Sequence, residues 1–153
     1  MLHRYGSGFG IWLGPRGGYN FNQQWGKFLE QHGNGTYSTT TYDVVTGDSV
    51  YVAKLRDFFI KQQRDYGVNY WKLDGFATQQ PQASTNGRYI TGGKNGNYYF
   101  TEHWERWYRN LDAMYADAKS RNLDLWINLT CYVNPSPWIL QWSNSVWIQN
   151  CSC

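Results

Sequence analysis

Long apolar runs are missing from this sequence of 153 residues. None approaches the roughly 20 residues that a membrane-spanning helix needs, so no membrane partner is expected. Basic clusters are missing too: Lys and Arg total 14 against 11 Asp and Glu, for a net charge of +3. The short runs "KQQR" and "KSR" fall on predicted helices. A nucleic-acid partner requires a concentrated positive footprint, so none is expected. The opening "MLHRYGSGFG" lacks the apolar stretch of a secretory leader, and no export signal is read there. Cysteine is scarce and odd in number, at Cys131, Cys151 and Cys153. An odd count gives no closed disulfide framework, and Cys-x-Cys without a nearby His is a poor zinc signature. Neither a metal nor a cofactor is expected.

Charge is sparse, at 16% against 41% hydrophobic residues, which places the chain among globular rather than disordered sequences. Its length fits one domain with a real core. Aromatic residues are abundant, at 19% with 9 Trp and 13 Tyr. Most of these rings serve a core equally well, but a surplus also suits a surface that stacks on the flat apolar faces of sugar rings.

Along the chain, strand and helix patterns alternate. "GFGIWL" (8–13) reads as a short buried strand that stops at Gly14 and Pro15. A polar segment over 15–48 follows, with a short helix around Phe21 to Gln31 and a small strand in "TTTYDVV". Asp48 or Ser49 caps the next helix. Its apolar face carries Val52, Leu55, Phe58, Phe59 and Tyr66, and Gly67 ends it.

Val68 to Leu73 form a second strand, and residues 75–100 read as a Gly/Asn/Gln-rich loop. Thr101 opens a helix with Trp104, Trp107, Tyr108, Leu111, Met114, Tyr115 and Ala118 on its apolar side. "LDLWINLT" is a third strand, Pro137 starts a short helix, and "SVWIQN" is a fourth strand.

Short buried strands joined by helical crossovers imply parallel βαβ units, so the fold class is α/β with a parallel sheet. Such a sheet is either doubly wound or closed as a barrel. "GSGFG" precedes a strand instead of opening a helix, so it is no dinucleotide fingerprint. On the third strand Leu123, Leu125, Ile127 and Leu129 make one aliphatic face, while Trp126, Asn128 and Thr130 make a mixed one. An aliphatic face suits covering helices, and a mixed face suits a barrel interior that opens on a site.

The second strand, "VNYWKLD", ends with Lys72 and Asp74 on one face. They lie at the C-terminal end of a parallel strand, where barrel enzymes place catalytic residues. A nearby ammonium favours the ionised carboxylate, and an ionised, partly desolvated carboxylate is a nucleophile. A plain ion pair closing the strand satisfies the same pattern.

"YWKLDGF" resembles the nucleophile motif of the retaining α-galactosidases and α-N-acetylgalactosaminidases, the melibiase-like clan. In that clan the fourth barrel strand ends in Lys-x-Asp. The resemblance implies a catalytic Asp74 and a substrate-binding Lys72. "FGIWLGPRGGY", "WINLTCYVNPSPW" and "SVWIQN" resemble the clan's third, fifth and sixth strands in order. Trp12, Arg16, Cys131, Asn134 and Trp138 are then implied as pocket lining. On this reading residues 1–153 are a single domain, a partial (half) TIM (β/α)8 barrel.

The sequence departs from the clan in two ways. The clan's acid/base Asp follows the sixth strand, where this chain reads Asn150-Cys151-Ser152-Cys153. Glu102, Glu105, Asp43 and Asp48 are no convincing substitutes. Retaining hydrolysis needs two carboxyl groups about 5–5.5 Å apart. Also, four strands are half of a barrel that takes eight and typically about 250 residues. Half a barrel leaves two open edges that invite another chain. A truncated reading frame is the favoured explanation. A homo-oligomer completing the barrel and a small α/β domain put to another use are the others.

Two function classes follow. One is a retaining glycosidase, or a piece of one, cleaving α-linked galactose or N-acetylgalactosamine. The other is a non-catalytic carbohydrate-binding module that uses Lys72 and Asp74 as polar anchors. A purely structural domain needs none of these residues. The expected partner in the first two is a carbohydrate.

Overall fold

The computed structural model describes residues 2–18, 21–39, 43–75, 93–130 and 137–147, with only the backbone of 2–3 and 93–100. Four parallel strands form one sheet: β1 (Phe9–Leu13), β2 (Val68–Asp74), β3 (Trp126–Thr130) and β4 (Ser145–Trp147). Their spatial order is their chain order. A doubly wound sheet reverses direction partway, whereas sequential addition with helices on one side is how a barrel grows.

Three helices accompany the sheet: α1 (Asn22–His32), α2 (Ser49–Tyr66) and α3 (Gly93–Ser120). Short 3-10 turns cover Leu2–Tyr5 and Pro137–Gln141. The small strand expected in "TTTYDVV" is reduced to one antiparallel bridge between Thr39 and Val44; residues 40–42 lie outside the described residues.

Helix α2 begins and ends as its sequence predicts. Asp48 is the cap, and its Oδ1 accepts from the amides of Val50 (2.8 Å) and Tyr51 (3.1 Å). At the other end Gly67 turns left-handed, at φ +65°, and its amide returns to the Gln63 carbonyl at 3.1 Å. The apolar face differs from expectation at two positions. Val52 and Phe59 are buried, but Phe58 and Tyr66 are exposed. Phe58 still meets the Trp71 ring edge-on at 6.3 Å.

Helix α3 starts at Gly93, eight residues before Thr101. Its Gly- and Asn-rich first turns have poor intrinsic propensity, which is why they read as loop. The extension adds backbone hydrogen bonds to a helix already fixed by its packed part, a cheap step once a helix is nucleated.

The core lies between the sheet and the α2/α3 layer. Trp71, Leu73, Ile127 and Leu129 meet Phe59, Trp107, Leu111 and Met114, all eight completely buried. The Trp71 ring takes the edge of Phe59 at 4.9 Å. Gln63 ties the two helices together, its Nε2 donating to the Met114 carbonyl (3.1 Å) and to Asp117 Oδ2 (3.2 Å).

The segment leading into α2 is stitched onto α3. Trp107 Nε1 donates to the Thr46 carbonyl (3.0 Å), and Arg106 donates to the Gly47 carbonyl (2.7 Å). The Thr46 hydroxyl meets Nε2 of the buried His103 at 3.2 Å.

One irregularity sets the phase of β2. Phe9 pairs with Val68, but Gly10 pairs with Tyr70, so Asn69 is an extra residue. Its Oδ1 accepts the Phe9 amide at 2.9 Å. The bulge lets Val68 and Trp71 both reach the helical core, although strict alternation would separate them.

Candidate functional site

Beyond the bulge, alternate residues of all four strands turn away from the helices. Register stacks them in rows. Trp12, Lys72, Asn128 and Ser145 form one row, and Asp74, Thr130 and Trp147 form the next toward the strands' C-terminal ends. Tyr70 and Trp126 lie one row below. The upper two rows are where a barrel enzyme does its chemistry.

Asp74 is buried, at 9% exposure. Its Oδ2 accepts a hydrogen bond from Trp12 Nε1 at 3.1 Å, reached diagonally across the β1–β2 pair. Its Oδ1 is shielded from solvent without a hydrogen-bond partner. The expected pairing with Lys72 does not form. Lys72 Nζ lies instead over the Trp147 ring, 4.3 Å from its centroid. Residues two apart on a strand are about 6.6 Å apart along it, and the long Lys stem leans sideways to an aromatic face two strands away.

Two further polar atoms beside Asp74 are buried without partners: Asn128 Oδ1 and Thr130 Oγ1. Asn128 Nδ2 is used, donating to Ser145 Oγ at 2.7 Å. Three orphaned oxygens on adjacent positions of β2 and β3 are unusual, because each unmet buried group costs on the order of 1–3 kcal/mol. Trp12 and Trp147, each about half exposed, flank them. The arrangement places two half-exposed aromatic faces beside these buried oxygens.

The remaining predicted site residues are distributed differently. Arg16, in the loop after β1, is ion-paired with Asp43. Trp138 belongs to the 3-10 turn before β4. Its ring packs edge-on against Tyr108 (4.7 Å) and Trp142 (4.9 Å), on the side of the helical layer. Cys131 and Asn134 lie outside the described residues. The structure therefore joins Trp12 to Asp74, places Lys72 in the row below it, and brings neither Arg16 nor Trp138 into contact with the carboxylate.

Asn128 and Thr130, which the sequence placed on the mixed face of the third strand, lie on this face, as do Ser145 and Trp147, which sequence reasoning did not single out. The same period-2 alternation, applied to the fourth strand, was the signal that could have found the latter two.

A larger open cavity of 790 Å³ occupies the opposite, N-terminal end of the same face, lined by Gly8, Gly10, Asn69, Tyr70 and Trp126. It lies at the lower part of the same sheet face, away from Asp74. Among the described residues no group of three His, Cys, Asp or Glu side chains is placed to hold a metal ion. None of the helices described is long and apolar enough to cross a membrane.

No protein-family model matches the sequence, and none of the curated proteins matches it. Solved structures do share the fold. A GH36 α-galactosidase from Geobacillus stearothermophilus, in complex with raffinose, superposes on 97% of this chain with a TM-score of 0.58 at 12% identity. The same enzyme's complex with 1-deoxygalactonojirimycin gives 0.56 at 11% identity. An α-galactosidase from Lactobacillus brevis gives 0.53, also at 11%. This chain spans 20% of the length of each. At such identity the likeness is one of fold: the four βα units are a part of an α/β barrel of the kind found in those glycoside hydrolases.

Proposed function

We propose that residues 1–153 form part of the catalytic barrel of a retaining glycoside hydrolase acting on α-linked galactose or N-acetylgalactosamine, with Asp74 as nucleophile. One observation carries the reading. Asp74 sits at the C-terminal end of a barrel strand, buried, bonded through one oxygen only, beside the orphaned oxygens of Asn128 and Thr130. The half-exposed rings of Trp12 and Trp147 beside it offer faces on which a sugar ring stacks. The galactose-type ligands of the structural neighbours, raffinose and 1-deoxygalactonojirimycin, fit this class.

In the reaction an Asp74 oxygen attacks the anomeric carbon as the bond to the leaving group breaks, giving a glycosyl ester that water later hydrolyses. Lys72, with its ammonium over Trp147, is positioned to contact sugar hydroxyls rather than to neutralise Asp74. Trp12, Arg16, Cys131 and Asn134 are retained as candidate lining of the wider pocket, whereas Trp138 packs against the helical layer.

A second carboxyl group is required to protonate the leaving group. The described carboxylates of Asp43, Asp48 and Glu102 are engaged with Arg16, the α2 cap and Arg106. No acid/base is assigned among the described residues.

The test is intact-protein mass spectrometry after incubation with 2-deoxy-2-fluoro-α-galactosyl fluoride, whose leaving group departs without an acid. A single-sugar adduct on Asp74, absent from Asp74→Asn, is expected. If the folded chain binds galactosides but forms no adduct, the binding-module reading replaces this one.

A further inference from the structure

We propose that Trp12 is a positioning residue for Asp74, fixing its carboxylate on the scaffold through Oδ2. The inference rests on Asp74 being the nucleophile. It differs from the sequence-based assignment of Trp12 to sugar contact.

Three observations lead to it. The Trp12 indole rises from the row below and donates to Oδ2 at 3.1 Å, while Oδ1 has no partner. Lys72, the obvious alternative donor, is over Trp147. The two residues come from neighbouring strands, so the hydrogen bond is as rigid as the β1–β2 register that sets it.

A carboxylate turns about a broad, two-fold torsion, and without an anchor its two oxygens exchange places. An indole N–H is a donor only and carries no charge. It can hold one oxygen without neutralising the carboxylate as an ammonium would.

A carboxylate lone pair of Asp74 forms the bond to the anomeric carbon as the carbon–fluorine or glycosidic bond breaks. The carboxylate's charge leaves with the departing group, and the other oxygen becomes the carbonyl oxygen of the ester. The Trp12 hydrogen bond is stronger to the carboxylate than to that carbonyl. What it contributes to attack is therefore orientation, and misplaced reacting atoms lose rates of order 10²-fold.

The experiment uses the fluoride probe named above, with labelling rate followed against probe concentration. Trp12→Phe keeps an aromatic face and removes the N–H. The maximal labelling rate is expected to fall at least tenfold while the half-saturating concentration stays as in the wild type. The thermal unfolding midpoint falls, since Asp74 Oδ2 loses its donor, and circular dichroism shows the variant folded. A raised half-saturating concentration with an unchanged maximal rate overturns the proposal, because it identifies Trp12 as a sugar contact.

A second measurement follows the Trp12 indole N–H by ¹⁵N-correlated NMR, assigned by its loss in Trp12→Phe. Asp74→Ala is expected to move that signal, and an unmoved signal overturns the hydrogen bond itself. Absence of any adduct in the wild type, with the NMR shift present, removes the nucleophile reading and the catalytic part of this inference. It leaves the hydrogen bond as a structural contact.

Discussion

Lowering the pH from 7 to 5 is expected to cost the native state about 2 kcal/mol through His103 alone. This imidazole is buried on α3, with Nε2 against the Thr46 hydroxyl and Nδ1 without a partner. Burial above all, and then the neighbouring Arg106 charge, lower its pKa from 6.5 to about 4. Between those values the unfolded chain binds a proton at this position and the folded chain does not. Stability therefore rises with pH through the window. The contribution is fully present above 6.5 and is lost as the pH falls toward 4. The whole gap corresponds to about 3 kcal/mol, of which pH 5 already costs most.

Urea unfolding followed by tryptophan fluorescence at pH 7, 6 and 5 measures the effect. His103→Gln retains a donor for Thr46 and cannot titrate. The difference between the two proteins isolates His103 from every other group, and above about pH 5 most carboxylates remain ionised. The wild type should lose about 2 kcal/mol more than the variant over this range. Parallel losses in the two proteins would refute the reasoning, because they would mean that the ring charges inside the fold.

Two further predictions concern the frame. Gly67→Ala forces a side chain into the left-handed cap of α2 and is expected to destabilise by about 1 kcal/mol, seen as a lower urea midpoint with an unchanged slope. The outer edges of β1 and β4, unpaired among the described residues, and the half-exposed rings of Trp12, Tyr70, Trp126 and Trp147 predict self-association of the isolated chain. Native mass spectrometry should show a dimer beside the 17.9 kDa monomer, and a strictly monomeric protein at its highest soluble concentration refutes this.

Elements whose local chemistry and burial agree were legible in the sequence. Asp48 and Gly67 marked both ends of α2 because capping uses side chains and dihedrals that few residues supply. The aliphatic face of β3 was legible because Ile127 and Leu129 alternate with Asn128 and Thr130. The start of α3 was not, since its first turns gain their order from packing farther along the helix.

At the site, the shared face of Lys72 and Asp74 followed from the period of a strand, but their pairing did not. Whether a Lys stem leans to a carboxylate on its own strand or to Trp147 depends on neighbours that only the folded sheet provides. Trp12, within the first strand, was singled out only by the family resemblance. Its hydrogen bond to Oδ2 depends on a register between residues 62 positions apart.

The extra residue in β2 carries one more consequence. Asn69 works as a half-turn in the strand: everything after it faces opposite to where an uninterrupted strand would send it, relative to Val68. Deleting it while Val68 keeps its seat under the helices would rotate Asp74 and Lys72 into the hydrophobic layer and turn Leu73 out toward the concave face. The aim of the carboxylate is thus decided at the far end of its own strand, five residues away, by an asparagine that takes no part in the chemistry.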